Sequence, residues 1–235
     1  MISIVIPAYN EEKNIALCLE SLYKQETDKK FEVIVVNNNS NDCTEQEAAK
    51  FANKLNLRVI KQTKKGRGAA RMAGFSEAKG EIILSTDADT IHPTNWIEVL
   101  VNSFDGNTVA VTGPCKINDC GFLSNTIFNI FQPTLMRVYR VIFGHYFLSG
   151  FNFAIKKEAY HQVHGFDENL NVMEDIDLSF QVSQVGKIKY VGKNTVIFSG
   201  RRFKRGVVKG LLEYLSPFLR YYLKKNTDVE LSDPR

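Results

Sequence analysis

Between residues 81 and 93 the chain reads EIILSTDADTIHP, an apolar run that ends in two carboxylates one residue apart, Asp87 and Asp89. Like charges that close repel each other, and a bound divalent cation reverses the local field. Mg2+ or Mn2+ takes one or two protein carboxylates together with substrate phosphates and keeps several waters. The competing reading is structural, with Asp89 or Thr90 capping a helix that starts near Pro93. A second acidic group, Glu174-Asp175 with Asp177, stands in VMEDIDLSF. If Ile176, Leu178 and Phe180 open a helix, these carboxylates either complement its dipole or hold a general base against an apolar wall. Two cationic stretches follow the same logic. SGRRFKRG carries Arg201, Arg202, Lys204 and Arg205, and KKGRGAAR (64–71) ends in Arg71. Guanidinium groups fork onto phosphate oxygens, and glycines with cations at a helix start bind anions, although both stretches also read as solvated basic loops. Neither GxGxxG nor GxxxxGK[ST] is present, so there is no dinucleotide fingerprint and no P-loop.

The elements that must position these groups are written in the hydrophobic pattern. Apolar runs ISIVI (2–6), EVIVV (32–36), LRVI (57–60), EIILS (81–85) and VAVTG (109–113) predict short buried strands. Between them EEKNIALCLESLYKQ, TEQEAAKFANKL, AARMAGFSEAK and PTNWIEVLVNSF repeat apolar residues at three- and four-residue spacing, as in Ile15, Leu19 and Leu22. Pro93-Thr94 predicts a helix start, and Gly80 and Gly106 predict helix stops. Strands alternating with helices imply βαβ units, an α/β chain and a mainly parallel sheet with right-handed crossovers. Ligands bind such sheets beyond the carboxyl ends of the strands. Three strands here end in polar clusters, Pro7 to Glu11, Asn37 to Ser40 and Asp87 to Asp89, and topology puts all three on one rim. The second half is aromatic and basic: residues 122–153, a short strand IKYVG, then VVKGLLEYLSPFLRYYLKK, an amphipathic stretch broken by Pro217, and a polar tail from Asn226 to Arg235.

Taken together, IPAYNEE (6–12), VVNNNSNDCT (35–44), GAARMAG (68–74), STDADT (85–90), GFNFAIKKEAY (150–160), GFDE (165–168) and EDIDLSF (174–180) resemble the family 2 glycosyltransferases. Their order and spacing match from residue 2 to about 205. The resemblance implies a single GT-A domain over 1–235, Rossmann-like, with a mainly parallel central sheet flanked by helices. Its parts would be a nucleotide-sugar-binding half (1–115), an acceptor-binding half (116–205) and a C-terminal amphipathic helix with a polar tail (206–235). It implies inverting transfer of a hexose-type sugar from a nucleotide-diphosphate donor, UDP- or GDP-linked, to a saccharide or lipid-linked acceptor, as in cell-envelope polysaccharide biosynthesis. By similarity Pro7, Ala8, Tyr9 and Glu11 line the nucleoside pocket, with Asn38 at the base and Arg71 nearby. Asp87 faces the ribose, Asp89 is the ligand of Mg2+ or Mn2+, and Asp175 is the base with Glu174 beside it. Arg201 and Arg202 belong to a basic loop over the diphosphate. Two positions depart from the pattern. Asn37-Asn38 replaces the common acidic pair, which removes the charge that reads a base N–H, and Gln181 stands where arginine is common.

A net charge of +4 does not argue for nucleic acid. Cys18, Cys43, Cys115 and Cys120 form neither a CxxC pair nor a disulfide framework, and MISIVIPAYN lacks a signal-peptide core, so a cytoplasmic chain is expected. No apolar run reaches transmembrane length, 122–153 being broken by Arg137, Arg140 and His145. Residues 122–153 and 206–225 keep two readings open: peripheral contact with the inner face of a membrane, or packing on the sheet or in a homodimer. Two further functions compete with transfer. A nucleotide-binding protein without activity would need neither Asp89 nor Asp175, and a sugar nucleotidyltransferase would carry a glycine-rich basic loop where PAYNEE stands.

Overall fold

The computed structural model describes residues 1–204 and 206–224, so Arg205 and the expected polar tail lie outside the described residues. The first half runs β1 (Ile2–Ala8), α1 (Ile15–Tyr23), β2 (Phe31–Asn37), α2 (Thr44–Ala49), β3 (Leu57–Lys61) and α3 (Arg67–Glu77). It continues through β4 (Ile82–Ser85), β5 (Thr90–Ile91), α4 (Trp96–Val101), β6 (Thr108–Thr112) and β7 (Cys115–Lys116). Then come α5 (Phe122–Phe143), β8 (Phe153–Lys156), α6 (Lys157–Gln162) and α7 (Glu174–Ser183). The last elements are β9 (Lys187–Tyr190), β10 (Val196–Phe198), a 3-10 turn at Arg201–Phe203 and α8 (Val207–Lys224).

Seven strands form one sheet in the order β3-β2-β1-β4-β8-β6-β9, with β8 antiparallel to both neighbours and every other pair parallel. Strands from both halves of the chain therefore share one hydrogen-bonded layer. Side chains alternate across it, as the two-residue period of a strand requires. Ile4 and Ile6 of β1 join Ile15, Leu19 and Leu22 of α1 and Trp96 of α4 on one face. Val5, Ile34 and Val36 pack on the other against Ala70 and Phe75 of α3 and Leu178 and Val182 of α7. Burial on both faces explains why these strands read as continuous apolar runs rather than alternating ones.

A smaller sheet, β5-β10-β7, stands beside the rim. Thr90 of β5 pairs with Phe198 of β10, which brings residues 199–203 back over the end of β4. Thr90 thus belongs to a strand and α4 begins only at Trp96 after Asn95, which removes the helix-capping reading of Asp89 and Thr90.

Three boundaries differ from expectation. The helix α8 runs through Pro217 rather than breaking there; a proline costs one backbone bond and a clash on the preceding turn, which a long helix absorbs by bending. α3 ends at Glu77, ahead of Gly80, whose missing side chain instead lets the backbone of Ile2 and Ser3 approach, since a Cβ there would lie 2.5 Å from the Ser3 nitrogen. α4 stops at Val101, and Gly106, at φ 47°, makes the turn into β6.

Candidate active site

The three polar strand ends do share one rim, because β2, β1 and β4 are parallel neighbours with Ala8 opposite Asn37 and Val5 opposite Ser85. The loops leaving β1 and β2 are stitched together. Asn10 N donates to Ser40 Oγ at 3.1 Å, Glu11 N to Thr44 Oγ1 at 2.8 Å, and Glu12 N to Asp42 Oδ2 at 3.1 Å. Asn10 takes φ 52°, a left-handed conformation that asparagine tolerates. Asn37 and Asn38 are spent on the same architecture. Asn37 donates to Glu45 at 2.9 Å, and both amide hydrogens of Asn38 go to backbone carbonyls, Gln62 at 2.9 Å and Lys64 at 2.7 Å. The Asn38 carbonyl accepts Gly66 N at 2.9 Å, so this residue ties down the loop that leads into α3. An aspartate could make the last bond and neither of the first two.

That loop was one of the candidate anion sites. Gly66 N is committed to Asn38 and Gly68 N to the Leu170 carbonyl at 3.0 Å, so two of the amides a phosphate would use already have partners. What the loop delivers is Lys65, whose ammonium lies 4.8 Å from the centre of the Tyr9 ring, and the start of the helix that carries Arg71.

Arg71 is the centre of the site. It is buried, and its guanidinium donates to Glu174 Oε1 at 3.2 Å, to Asp87 Oδ1 at 2.6 Å, to the Gly150 carbonyl at 2.9 Å and to Ser85 Oγ. One cation thus joins α3, the end of β4, the turn before β8 and the first turn of α7. Asp175 completes the group by accepting Gly150 N at 2.9 Å and its neighbour Ile176 N at 2.8 Å. Gly150 is required here: a Cβ would lie 2.5 Å from Arg71 Nη2 and 3.0 Å from Asp175 Oδ2. Met173, at φ 67°, turns the chain so that Glu174 and Asp175 open α7 facing the rim.

A second guanidinium faces the other carboxylates. Arg201 donates to Glu11 through both terminal nitrogens, at 3.0 and 2.6 Å, and lies 2.9 Å from Asp89 Oδ2. The adjacent Arg202 is buried and reaches Glu213 of α8 at 3.7 Å.

Five carboxyl groups, Glu11, Asp87, Asp89, Glu174 and Asp175, thus surround Arg71 and Arg201. These two guanidiniums do not neutralise five carboxylates, of which Glu11 and Glu174 are buried and the other three partly buried, and Arg67 adds a weaker pull on Asp89 and Glu174. Burial, reinforced by Asp87 and Glu11 against the pull of Arg201, pushes the Asp89 carboxyl up to about 7. Burial and the neighbouring Asp175 outweigh Arg71 and push Glu174 up to about 7 as well. Asp175 is raised for the same first reason, burial, against Arg71 and the two backbone amides it accepts. Arg71 itself is held protonated, because Asp87, Glu174 and Asp175 overcome the burial that alone would lower it.

Among the described residues no group of three or more His, Cys, Asp or Glu side chains converges as a ready-made metal cage. The donor set still fits a hard dication of the Mg2+ or Mn2+ kind. Asp89 offers buried carboxylate oxygens in a site of excess negative charge, and such ions complete their shell with water and substrate phosphate.

Glu11, Asn38, Arg71, Asp87, Asp89, Glu174, Asp175 and Arg201 meet on or beside this rim, with Pro7, Ala8 and Tyr9 at the end of β1, whereas Arg202 reaches Glu213 of α8 and Asp177 is bonded to Gln181 and Tyr221. Reading the sequence missed Ser85, Gly150 and His92 as individual contributors. His92 is buried, held neutral with its pKa lowered by burial to about 3, and bridges Ser21 Oγ at 2.8 Å and Thr86 Oγ1 at 2.7 Å. It pins the segment that carries Asp87 and Asp89. Its position in STDADTIHP was the available signal, but a lone histidine after a strand has no spacing rule attached.

Comparison with known proteins agrees with the fold. The family model described as Glycosyl transferase family 2 matches residues 3–163. Glycosyltransferase AglE of Haloferax volcanii is 36% identical over 115 residues, which are 48% of this chain and 38% of that protein. The chain spans well under half the length of the curated relatives it matches, 16% of the poly(ribitol-phosphate) beta-N-acetylglucosaminyltransferase TarS of Staphylococcus aureus, for example. In fold, residues 1–349 of S. aureus TarS in complex with UDP superpose with a TM-score of 0.69 at 22% identity, over 98% of this chain and 75% of that one. The mannosyltransferase PcManGT of Pyrobaculum calidifontis, in complex with GDP-Man and Mn2+, gives 0.66 at 21% identity, over 99% and 66%.

Proposed function

The chain belongs to glycosyl transferase family 2, and from that membership we propose that it moves a sugar from a nucleotide-diphosphate donor to an acceptor hydroxyl, inverting the anomeric carbon. The observation that carries this reading is the Arg71 cluster. It holds Asp175, anchored by Gly150 N, on the same rim as the Asp89–Arg201–Glu11 group and connects the two through Asp87.

In this proposal Pro7, Ala8, Tyr9, Glu11 and Asn38 line the nucleoside side, with Lys65 over the Tyr9 ring. Asp87, fixed by Arg71, faces the ribose. Arg201 turns its guanidinium to the diphosphate, where a forked donor matches phosphate oxygens. Asp89 would hold Mg2+ or Mn2+, which when bound supplies positive charge against the leaving diphosphate. Asp175 accepts the proton of the acceptor hydroxyl while that oxygen bonds to the anomeric carbon. The bond from the anomeric carbon to the diphosphate breaks, and the diphosphate departs with the electron pair. One displacement needs one base and no nucleophilic carboxylate. Glu174 does not touch substrate in this scheme; by sharing Arg71 it positions Asp175. Arg202 is assigned to the diphosphate only through the motif.

The nucleotides bound by the two structural neighbours, UDP in one and GDP-Man in the other, support a UDP- or GDP-linked sugar. With the Asn38 amide hydrogens committed to the loop, base recognition falls to its remaining carbonyl lone pair and to the backbone around it. The acceptor is a saccharide or a lipid-linked saccharide, in a cytoplasmic setting. Thermal shift with UDP-, GDP- and dTDP-sugars, with and without Mn2+, followed by release of the nucleoside diphosphate, tests this. A donor at about 100 times its dissociation constant adds about 2.7 kcal/mol of stability. Absence of any shift and any release across the three classes sinks the proposal.

A further inference from the structure

The helix α5 is apolar on two opposite faces. Its inner face buries Phe128, Met136 and Tyr139. On the outer face Ile127, Ile130, Leu135, Val138, Val141 and Ile142 are exposed, Ile130 at 68%, Val141 at 85% and Ile142 at 67%. At 3.6 residues per turn these six fall on one continuous stripe running most of the helix. Large contiguous apolar surfaces of this kind mark docking sites. No helix among the described residues is long and apolar enough to cross a membrane, and α5 has already committed one face to the protein.

Charge names the occupant. The helix α5 contains no Asp or Glu, and its only charged residues, Arg137 and Arg140, are both exposed. At its C-terminal end a cleft of about 650 Å3 is lined by Arg140, His145, Tyr146, Lys187, Lys189 and Tyr190 among others; one carboxylate beside it, Asp105, pairs with Lys189 at 2.5 Å, which leaves the cleft net cationic. Arg140 lies 5.1 Å from the centre of the Tyr146 ring, which stacks on Tyr190. Alongside α5, packed on it through Phe218, α8 exposes Leu212 and Leu219 with Lys209 and Arg220. A second copy joined through this face about a two-fold axis would bring arginine to arginine with no acid on α5 to answer them. An anionic bilayer offers apolar depth and negative charge together.

We propose that the outer face of α5 lies in the interface of an anionic lipid bilayer, with the cationic cleft at its end against the phosphate headgroups. The apolar stripe supplies insertion, the arginines supply charge selectivity, and the chain docks without spanning.

Flotation of the full chain tests this and needs no transfer activity, so it stands or falls separately from the proposed reaction. The wild type should float with vesicles of equal parts phosphatidylglycerol and phosphatidylcholine, lose binding as salt is raised, and stay behind with phosphatidylcholine alone. Each surface cation near the bilayer contributes roughly five-fold in partitioning. Ile130→Glu/Val141→Glu, both fully outward positions, should cut flotation by about ten-fold or more with an unchanged melting temperature. Arg137→Glu should weaken binding to anionic vesicles selectively. No flotation with anionic vesicles, or equal flotation with neutral ones, overturns the proposal. So does light scattering that finds a dimer which Ile130→Glu/Val141→Glu converts to monomers, because a second copy then covers the face.

Discussion

Asp175 and Glu174 are adjacent in sequence and unlike in environment. Asp175 is partly buried and accepts the Gly150 backbone amide, whereas Glu174 is more deeply buried and bonded to Arg71. Asp175→Asn keeps an oxygen for Gly150 N and removes the basicity, so transfer should fall by about 10²–10⁴-fold while nucleotide affinity holds. Steady-state kinetics beside nucleotide titration checks this; wild-type turnover would remove Asp175 from the reaction. Glu174 makes a statement about stability. Its carboxyl rises from an ordinary 4.5 to about 7 on folding, through burial first and Asp175 second. Between those values the folded chain holds a proton that the unfolded chain has released, so stability falls as pH rises through that window and levels off above it. Glu174→Gln should make the slope of melting temperature against pH shallower across the same window. Both residues were legible as an acidic pair at a helix start. Their division of labour was not, because it comes from Gly150 and Arg71, which lie 25 and 103 residues from the partners they hold.

Elements were legible in proportion to their length. The five apolar runs of the first half became β1, β2, β3, β4 and β6; burial on both sheet faces leaves apolar residues in succession in β1, β2, β4 and β6, while the edge strand β3 is only partly buried. The two-residue strands β5 and β7 and the three-residue β10 leave none, since alternation needs more positions than they have. Yet β10 shapes the candidate site, because its pairing with β5 sets Arg201 against Asp89 and Glu11, the latter 190 residues away in sequence. Arg201 holds there the carboxylate assigned to the metal. Arg201→Ala should therefore let Mn2+ alone raise the melting temperature of the nucleotide-free chain, an effect expected to be weak in the wild type, while slowing transfer. If Mn2+ without nucleotide stabilises the wild type equally, Arg201 does not compete for Asp89. The continuous helix through Pro217 shows the converse: a local breaker signal overridden by the rest of a long helix.

Across the molecule, the single seven-stranded sheet means that the two halves expected from the motif pattern cannot loosen independently, since β8 hydrogen-bonds β4 and β6. Arg71 adds a polar bond to the same union. Removing it leaves Glu174 buried without its cation, and Arg71→Ala should cost about 3–5 kcal/mol. In a cycle with Glu174→Gln the double variant should recover about 0.5–3 kcal/mol relative to the sum of the singles, read from denaturant unfolding. Strict additivity would mean that the pair is not coupled. The consequence reaches into how this chain can vary. A guanidinium shared by Asp87, Glu174, Ser85 and the Gly150 carbonyl makes these positions epistatic: a substitution at one is judged by what the others already are. Random mutagenesis for altered donor choice would stall at this cluster, and new specificity would be reached sooner through the loops around Tyr9, Asn38 and Lys65.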